Sequence, residues 1–283
     1  MPIHDQGYRR YLGTRTPRGR AWAVITAAGL RTFFGKRAFL ALLLLSWLPF
    51  VVRAVQFYLA ANLPANIPQV ALLAPSAETF RQFLGFQDFF VFFVTIYVGA
   101  GLIANDRRAN ALQIYLSKPL TRAEYVLGKM AILMAFLLMV TWLPAIVLLL
   151  VQVSFAGSFT FLKSHLYLFP AITLFSFVEA TMVSAAMLAL SSLSNNSRFV
   201  GIMYAGLIFF SEALYGVLRA VTGESRLSWV SFGNNLEQIG DAMFSVPLRF
   251  RTPWPVSLLM IIALVVASGL ILERRVRGVE VVV

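Results

Sequence analysis

The sequence predicts an all-α polytopic membrane protein with six transmembrane helices, and three observations carry that prediction. First, 59% of the 283 residues are apolar and only 13% are charged, where soluble domains hold roughly 45–50% and about 25%. Second, the apolar residues gather into long runs without polar alternation, which is a helix pattern and not that of a barrel strand. Backbone groups in hydrocarbon must be satisfied within the segment, so such runs form helices. Third, the basic residues fall in alternate gaps between the runs.

A span needs about 20 apolar residues. The clearest run is Met130–Val153, uncharged over 24 positions. The other five are Ala38–Ala61 with Arg53 inside, Phe89–Asn105, short but extendable outward through Asp88 and Phe86, Leu166–Leu193 with Glu179 inside, Phe199–Leu218 with Glu212 inside, and Pro255–Leu272. An even number of spans places both ends on one side. Residues 1–37, the loop 105–129, Arg198 and the tail together hold 17 of the 24 basic residues, and the opposite loops hold six. The positive-inside rule then puts both termini in the cytoplasm. The chain reads as a single transmembrane domain over 1–283: a cytoplasmic tail (1–37), six spans (38–272) and a second tail (273–283).

The tail carries a predicted surface helix, Arg20–Arg37, with Trp22, Ile25 and Phe33 on one face and Arg20 and Arg31 on the other. Its apolar continuation begins too late and runs too long for a cleaved signal. On the outer side, residues 62–85 hold Pro64, Pro68 and Pro75 and read as turns at first. Residues 219–254 read as one or two short helices over Leu227–Val246, lying on the outer membrane face.

The net charge of +12 is read as cytoplasmic-loop charge and not as a nucleic-acid surface. Cysteine is absent, which excludes disulfides and thiol chemistry. The two histidines, His4 and His165, make no metal cage. Neither a phosphate-binding loop nor a hydrolase elbow nor a zinc-binding helix appears. The expectation is a non-enzyme with no cofactor of its own.

Charges inside spans cost about 2.5–3.5 kcal/mol near the bilayer centre. Arg53, Glu179 and Glu212 should therefore face protein or water. Arg53 and Glu212, both in the outer half, are the expected partners of one another.

The loop 105–129 is far longer than a connection requires. Asp106 to Leu116 is expected to form a three-turn helix, its acid at the N-terminal end and Leu112, Tyr115 and Leu116 on its apolar side. Pro119 ends it. Thr121 and Glu124 form a capping box that starts a second helix leading into the third span. Arg107, Arg108 and Arg122 flank the apolar ridge, which suits docking into a groove of another protein.

The run Asp106-Arg107, Leu112, Leu116-Ser117, Pro119-Leu120-Thr121-Arg122, Glu124-Tyr125 and Gly128-Lys129 is similar to the cytoplasmic loop of type-2 ABC transporter permeases. That family also has six spans, a surface helix before the first and cytoplasmic ends. The tail Arg274-Arg275-Val276-Arg277-Gly278 resembles those of bacterial members. Two departures stand out: Asp106 replaces the more usual Glu, and Ala111 lies where Gly-Thr is usual. The resemblance implies the membrane subunit of an ATP-driven exporter in a bacterial inner membrane. Two permeases would pair with two separate ATPase subunits, which bind the ATP and Mg. Asp106, Arg107, Arg108, Leu112, Tyr115, Leu116, Pro119, Arg122 and Glu124 would then carry coupling. The competing reading is an ion-coupled transporter or channel that uses Arg53, Glu179 and Glu212.

Overall fold

A computed structural model describes residues 21–64, 73–111, 121–156 and 164–276, and among them the chain is all helical. In chain order the helices are α1 (Ala21–Phe34), α2 (Arg37–Ser46), α3 (Leu48–Asn62), α4 (Ala77–Val94), a π-helical turn (Thr95–Gly99) and α5 (Gly101–Arg108). They continue with α6 (Arg122–Val140), α7 (Trp142–Ala156), α8 (Leu168–Leu193), α9 (Ser197–Thr222), α10 (Phe232–Met243) and α11 (Trp254–Arg275).

Among the described residues, six helical units are long and apolar enough to cross a membrane: Arg37–Asn62, Ala77–Arg108, Arg122–Phe155, Leu168–Leu193, Ser197–Thr222 and Trp254–Arg275. Each overlaps one run in the sequence, and the protein is a multi-pass membrane protein. Two units are interrupted next to a proline, which lacks a backbone donor. Pro49 opens α3 after the break at Trp47, and Pro144 follows the break at Thr141. The Thr141 hydroxyl donates to the Leu137 carbonyl at 3.0 Å, just before that break.

The helix α8 is the centre of the bundle. It packs against α5, α6, α7, α9, α10 and α11 and is the most buried of the six units. Its inner turns carry Ser184, Ala185, Ala186, Ala189, Ser191 and Ser192. Such small side chains let helix backbones approach closely in a bilayer, where apolar burial alone gives no drive. The unit Arg37–Asn62 is peripheral and exposes Leu44, Leu45, Leu48, Val51 and Val52.

The second spanning unit changes pitch at its π turn, which leaves backbone groups without their usual helical partners. Ser191 of α8 repairs the defect. Its hydroxyl donates to the Ala100 carbonyl at 2.9 Å and accepts from the Ile103 and Ala104 amides at 3.1 and 3.0 Å. Ser191→Ala strands these groups in a buried place, at a cost of about 1–3 kcal/mol. A lower melting temperature in detergent is the expected readout, and an unchanged one would show that the turn needs no support.

The amphipathic helix ahead of the first span exists as α1, but it does not lie across the bundle. Ile25 meets Gly128, Gly29 meets Ile132, and the Phe33 and Phe136 rings stand 5.8 Å apart. The three contacts advance in step, so α1 runs lengthwise beside α6. The Thr26 hydroxyl adds a bond to the Gly128 carbonyl at 3.2 Å. Phe33 is buried by this packing, whereas Trp22 stays exposed.

The segment before the last span also departs from expectation. A short 3-10 turn (Ser228–Val230) and α10 are present, but α10 packs among α4, α8, α9 and α11. Its inward face carries Asn234, Asn235, Gln238 and Asp241 with Phe232, Ile239 and Gly240. A helix with that many polar groups inside is held by hydrogen bonds, not by lying on a membrane.

Candidate functional site

Two polar assemblies sit at opposite ends of the second spanning unit. The first is where the loop 105–129 leaves and rejoins the bundle. The unit runs as helix through Arg108 and stops at Asn110, whose φ of 53° is left-handed, a conformation asparagine tolerates. Asp106 therefore lies in the last turn of α5, not at the head of a separate cytoplasmic helix. A carboxylate there opposes the helix dipole, while Arg107 and Arg108 suit it. What holds Asp106 is tertiary: Lys129 Nζ is 2.6 Å from its Oδ2, and the Tyr125 hydroxyl donates to the same oxygen at 2.7 Å. Lys129 also stands 5.5 Å from the Tyr125 ring centroid.

The restart of the chain matches expectation. The Glu124 amide donates to Thr121 Oγ1 at 3.2 Å, and the Thr121 amide donates to Glu124 Oε2 at 3.0 Å. This reciprocal pair is the capping box. It opens α6, which is continuous with the third span. Arg108 and Arg122 are exposed, and Arg107 is half-buried. Leu112, Tyr115, Leu116 and Pro119 lie outside the described residues. A cavity of about 480 Å³ is lined by residues of α1, α5 and α6, with Lys36, Asn105, Asp106 and Lys129 among its polar walls.

The second assembly is a buried charge cluster near the start of α4. Ser76 caps that helix by accepting from the Thr79 amide at 3.2 Å. The cap starts the helix at Ala77, well upstream of Phe89, where the apolar run begins. Arg81 therefore belongs to a spanning unit and not to an outer loop. Its side chain is 1% exposed. Arg81 Nε is 3.1 Å from Asp241 Oδ1, and Nη2 donates to the Glu237 carbonyl at 3.3 Å. The guanidinium carbon lies 5.0 Å from the centroid of Phe175. Gly240 leaves the space for it.

Asp241 serves two arginines, since Arg249 Nε reaches its other oxygen at 3.2 Å. Arg249 also pairs with Glu237 at 3.2 Å. Burial pushes the Asp241 carboxyl above its ordinary range, and Arg81 and Arg249 pull partway back. Gln238 fastens the other side of α10. It donates to the carbonyls of Phe250 and Thr252 at 3.1 and 2.6 Å. Among the described residues no group of three metal-binding side chains gathers.

The three intramembrane charges go separate ways. Arg53 donates to Gln56 at 2.6 Å and to Gln82 at 3.2 Å, and its expected partner Glu212 is elsewhere. Glu212 accepts from the Ser231 hydroxyl at 2.5 Å. That serine also caps α10, taking the Asn234 amide at 3.2 Å, so Glu212 anchors the helix start. Glu179 is buried in α8, near Arg81 and Asp88 of α4. The sequence reading placed Asp88 in an outward extension of the second span and missed Arg81 and Asp241. The signal that could have found Arg81 was the spacing of Phe80, Phe83, Leu84, Gln87 and Val91, which carries the helical stripe further upstream. No protein-family model matches the chain, and no curated protein matches its sequence.

Proposed function

We propose that this chain is the membrane-spanning permease subunit of an ATP-driven ABC exporter, working as a pair with two separate ATPase subunits in a bacterial inner membrane. Both termini are then cytoplasmic, the partner binds ATP and Mg, and this chain has no catalytic residue. The observation that carries the reading is the loop 105–129, through its resemblance and its anchoring. Asp106 is tied to Lys129 and Tyr125, and Thr121 to Glu124. Both ends of the loop are thus fixed to the second and third spanning units, so a push on it has a stiff route into the bundle. The rival ion path draws less support, because Arg53 and Glu212 do not pair: Arg53 bonds to Gln56 and Glu212 to Ser231.

Leu112→Ala with Tyr115→Ala is expected to detach or uncouple the ATPase while leaving membrane insertion intact. Truncating a central interface anchor costs about 2 kcal/mol or more. Charge changes at Arg107 act more weakly, since rim charges mostly tune association rate. Co-purification with a cognate ABC ATPase subunit, and transport-linked ATP hydrolysis, are the measurements. Unmodified levels of both in the double variant would remove the coupling role.

A further inference from the structure

Lys36, between α1 and α2, is a cation without a counter-ion. No acidic residue occurs between Asp5 and Glu78, and among the described residues no carboxylate lies within ion-pair distance of its ammonium. The ammonium rests on aromatic rings instead, 4.7 Å from the centroid of Phe33 and 5.9 Å from that of Tyr97. A ring face attracts a cation without neutralising it. Lys36 is exposed, so its charge stays open to an anion.

A second observation is the space beside it. Lys36 stands in the wall of the cavity of about 480 Å³, a volume within the range of small-molecule sites, about 300–1,000 Å³. On α1 the helix closes on α6 where Ile25 meets Gly128 and Gly29 meets Ile132. The cavity is lined by residues of that seam and by one face of the second spanning unit: Tyr97 and Val98 of the π turn, then Gly101, Leu102 and Asn105 on α5. Single π turns often mark functional sites, and this one carries the ring that seats Lys36.

The charges of the walls can be counted. Lys36, Asp106 and Lys129 are the charged side chains that line the cavity. Asp106 and Lys129 are 2.6 Å apart and cancel each other. One positive charge is left, that of Lys36. Apolar side chains, among them Val24, Ile25, Val98, Leu102 and Ile132, make up much of the remaining wall.

We propose that this cavity binds an amphiphile with a single negative charge, its anionic group on Lys36 and its apolar chain against α1, α5 and α6. A bilayer phospholipid with a phosphodiester and a free fatty acid share that chemistry. A ligand of higher negative charge is opposed by Asp106, and a neutral one leaves Lys36 unused. The bound molecule touches α1, the π turn and both helices that flank the loop 105–129. It therefore braces α1 against the second and third spanning units.

The test uses the full chain and needs no ATPase, so its outcome is separate from that of the exporter reading. In one arm the protein is reconstituted in nanodiscs of mixed phosphatidylcholine and phosphatidylglycerol, released, and weighed by native mass spectrometry. In the other, oleate is titrated into lipid-depleted protein in non-ionic detergent. The wild type is expected to retain phosphatidylglycerol in preference to phosphatidylcholine, or to bind oleate, and the arm that responds names the source. Lys36→Gln should weaken that binding about tenfold, the loss of one charge-assisted contact. Lys36→Arg should keep it, and Ala28→Trp, which fills the cavity from α1, should abolish it. Arg31→Gln removes an equal charge from α1 outside the cavity and should leave binding unchanged. A wild type that takes up neither probe, equal retention of the two phospholipids without oleate binding, or a Lys36→Gln variant that binds like the wild type would each overturn the proposal.

Discussion

Asp241→Leu is expected to destabilise the folded protein by about 3–5 kcal/mol, because it leaves the Arg81 guanidinium buried without its carboxylate. Arg81→Met should do less damage. It removes one of two arginines from Asp241, and Arg249 remains at 3.2 Å. The double variant Arg81→Met/Asp241→Leu should recover much of the loss, since two apolar side chains of similar bulk carry no desolvation cost. The cost of a buried ion pair lies in breaking it, not in lacking it. Thermal unfolding in detergent, followed by the loss of monodisperse protein, ranks the three. A double variant as unstable as the two single effects added together would show that the pair is not a coupled unit.

The second large effect is at Gly240. Helix propensity alone predicts that Gly240→Ala stabilises, by roughly 0.5–1 kcal/mol. Packing predicts the reverse. A Cβ at this position would stand 2.5 Å from Arg81 Nε and 2.8 Å from both Arg81 Cζ and Phe175 Cε2. The guanidinium is held on three sides and cannot swing away without leaving Asp241. Overpacking of this kind costs about 1–3 kcal/mol, and the lost ion-pair geometry adds to it. Packing therefore wins, and the net change should be destabilising. Gly233→Ala in the same helix is the control, because nothing lies within 4 Å of its added carbon. It should be neutral or mildly stabilising. If the two alanines behave alike, Gly240 is not making room for Arg81.

The spanning units were legible in the sequence because a lipid solvent acts on each segment separately. Every backbone group must be bonded within its own helix, so length and apolar content suffice to find the run from Met130 to Val153 or from Leu166 to Leu193. The capping box at Thr121 and Glu124 was legible for the same reason, since its partners lie three residues apart. The long-range pairings of polar groups were not legible. Arg53 and Glu212 matched in depth and sign, yet Arg53 found Gln56 and Gln82, and Glu212 found Ser231. Charge and depth restrict the choice of partner, but which helix faces turn toward each other depends on how small residues along α8 let its neighbours close in.

Asp106 shows the same division. Local rules favour an acid at a helix start, whereas the tertiary fold places it in a last turn and compensates with Lys129 and Tyr125 from α6. The cluster around Arg81 was beyond local reading altogether. Its partner Asp241 is 160 positions away, on a short helix that turns its polar side inward, against the usual direction of amphipathic burial. Local chemistry along the chain was thus enough to count the membrane-crossing helices and to find the cap that ends the loop. Which buried charges meet was settled by packing in three dimensions, because a low-dielectric interior makes pairing obligatory without specifying the pair.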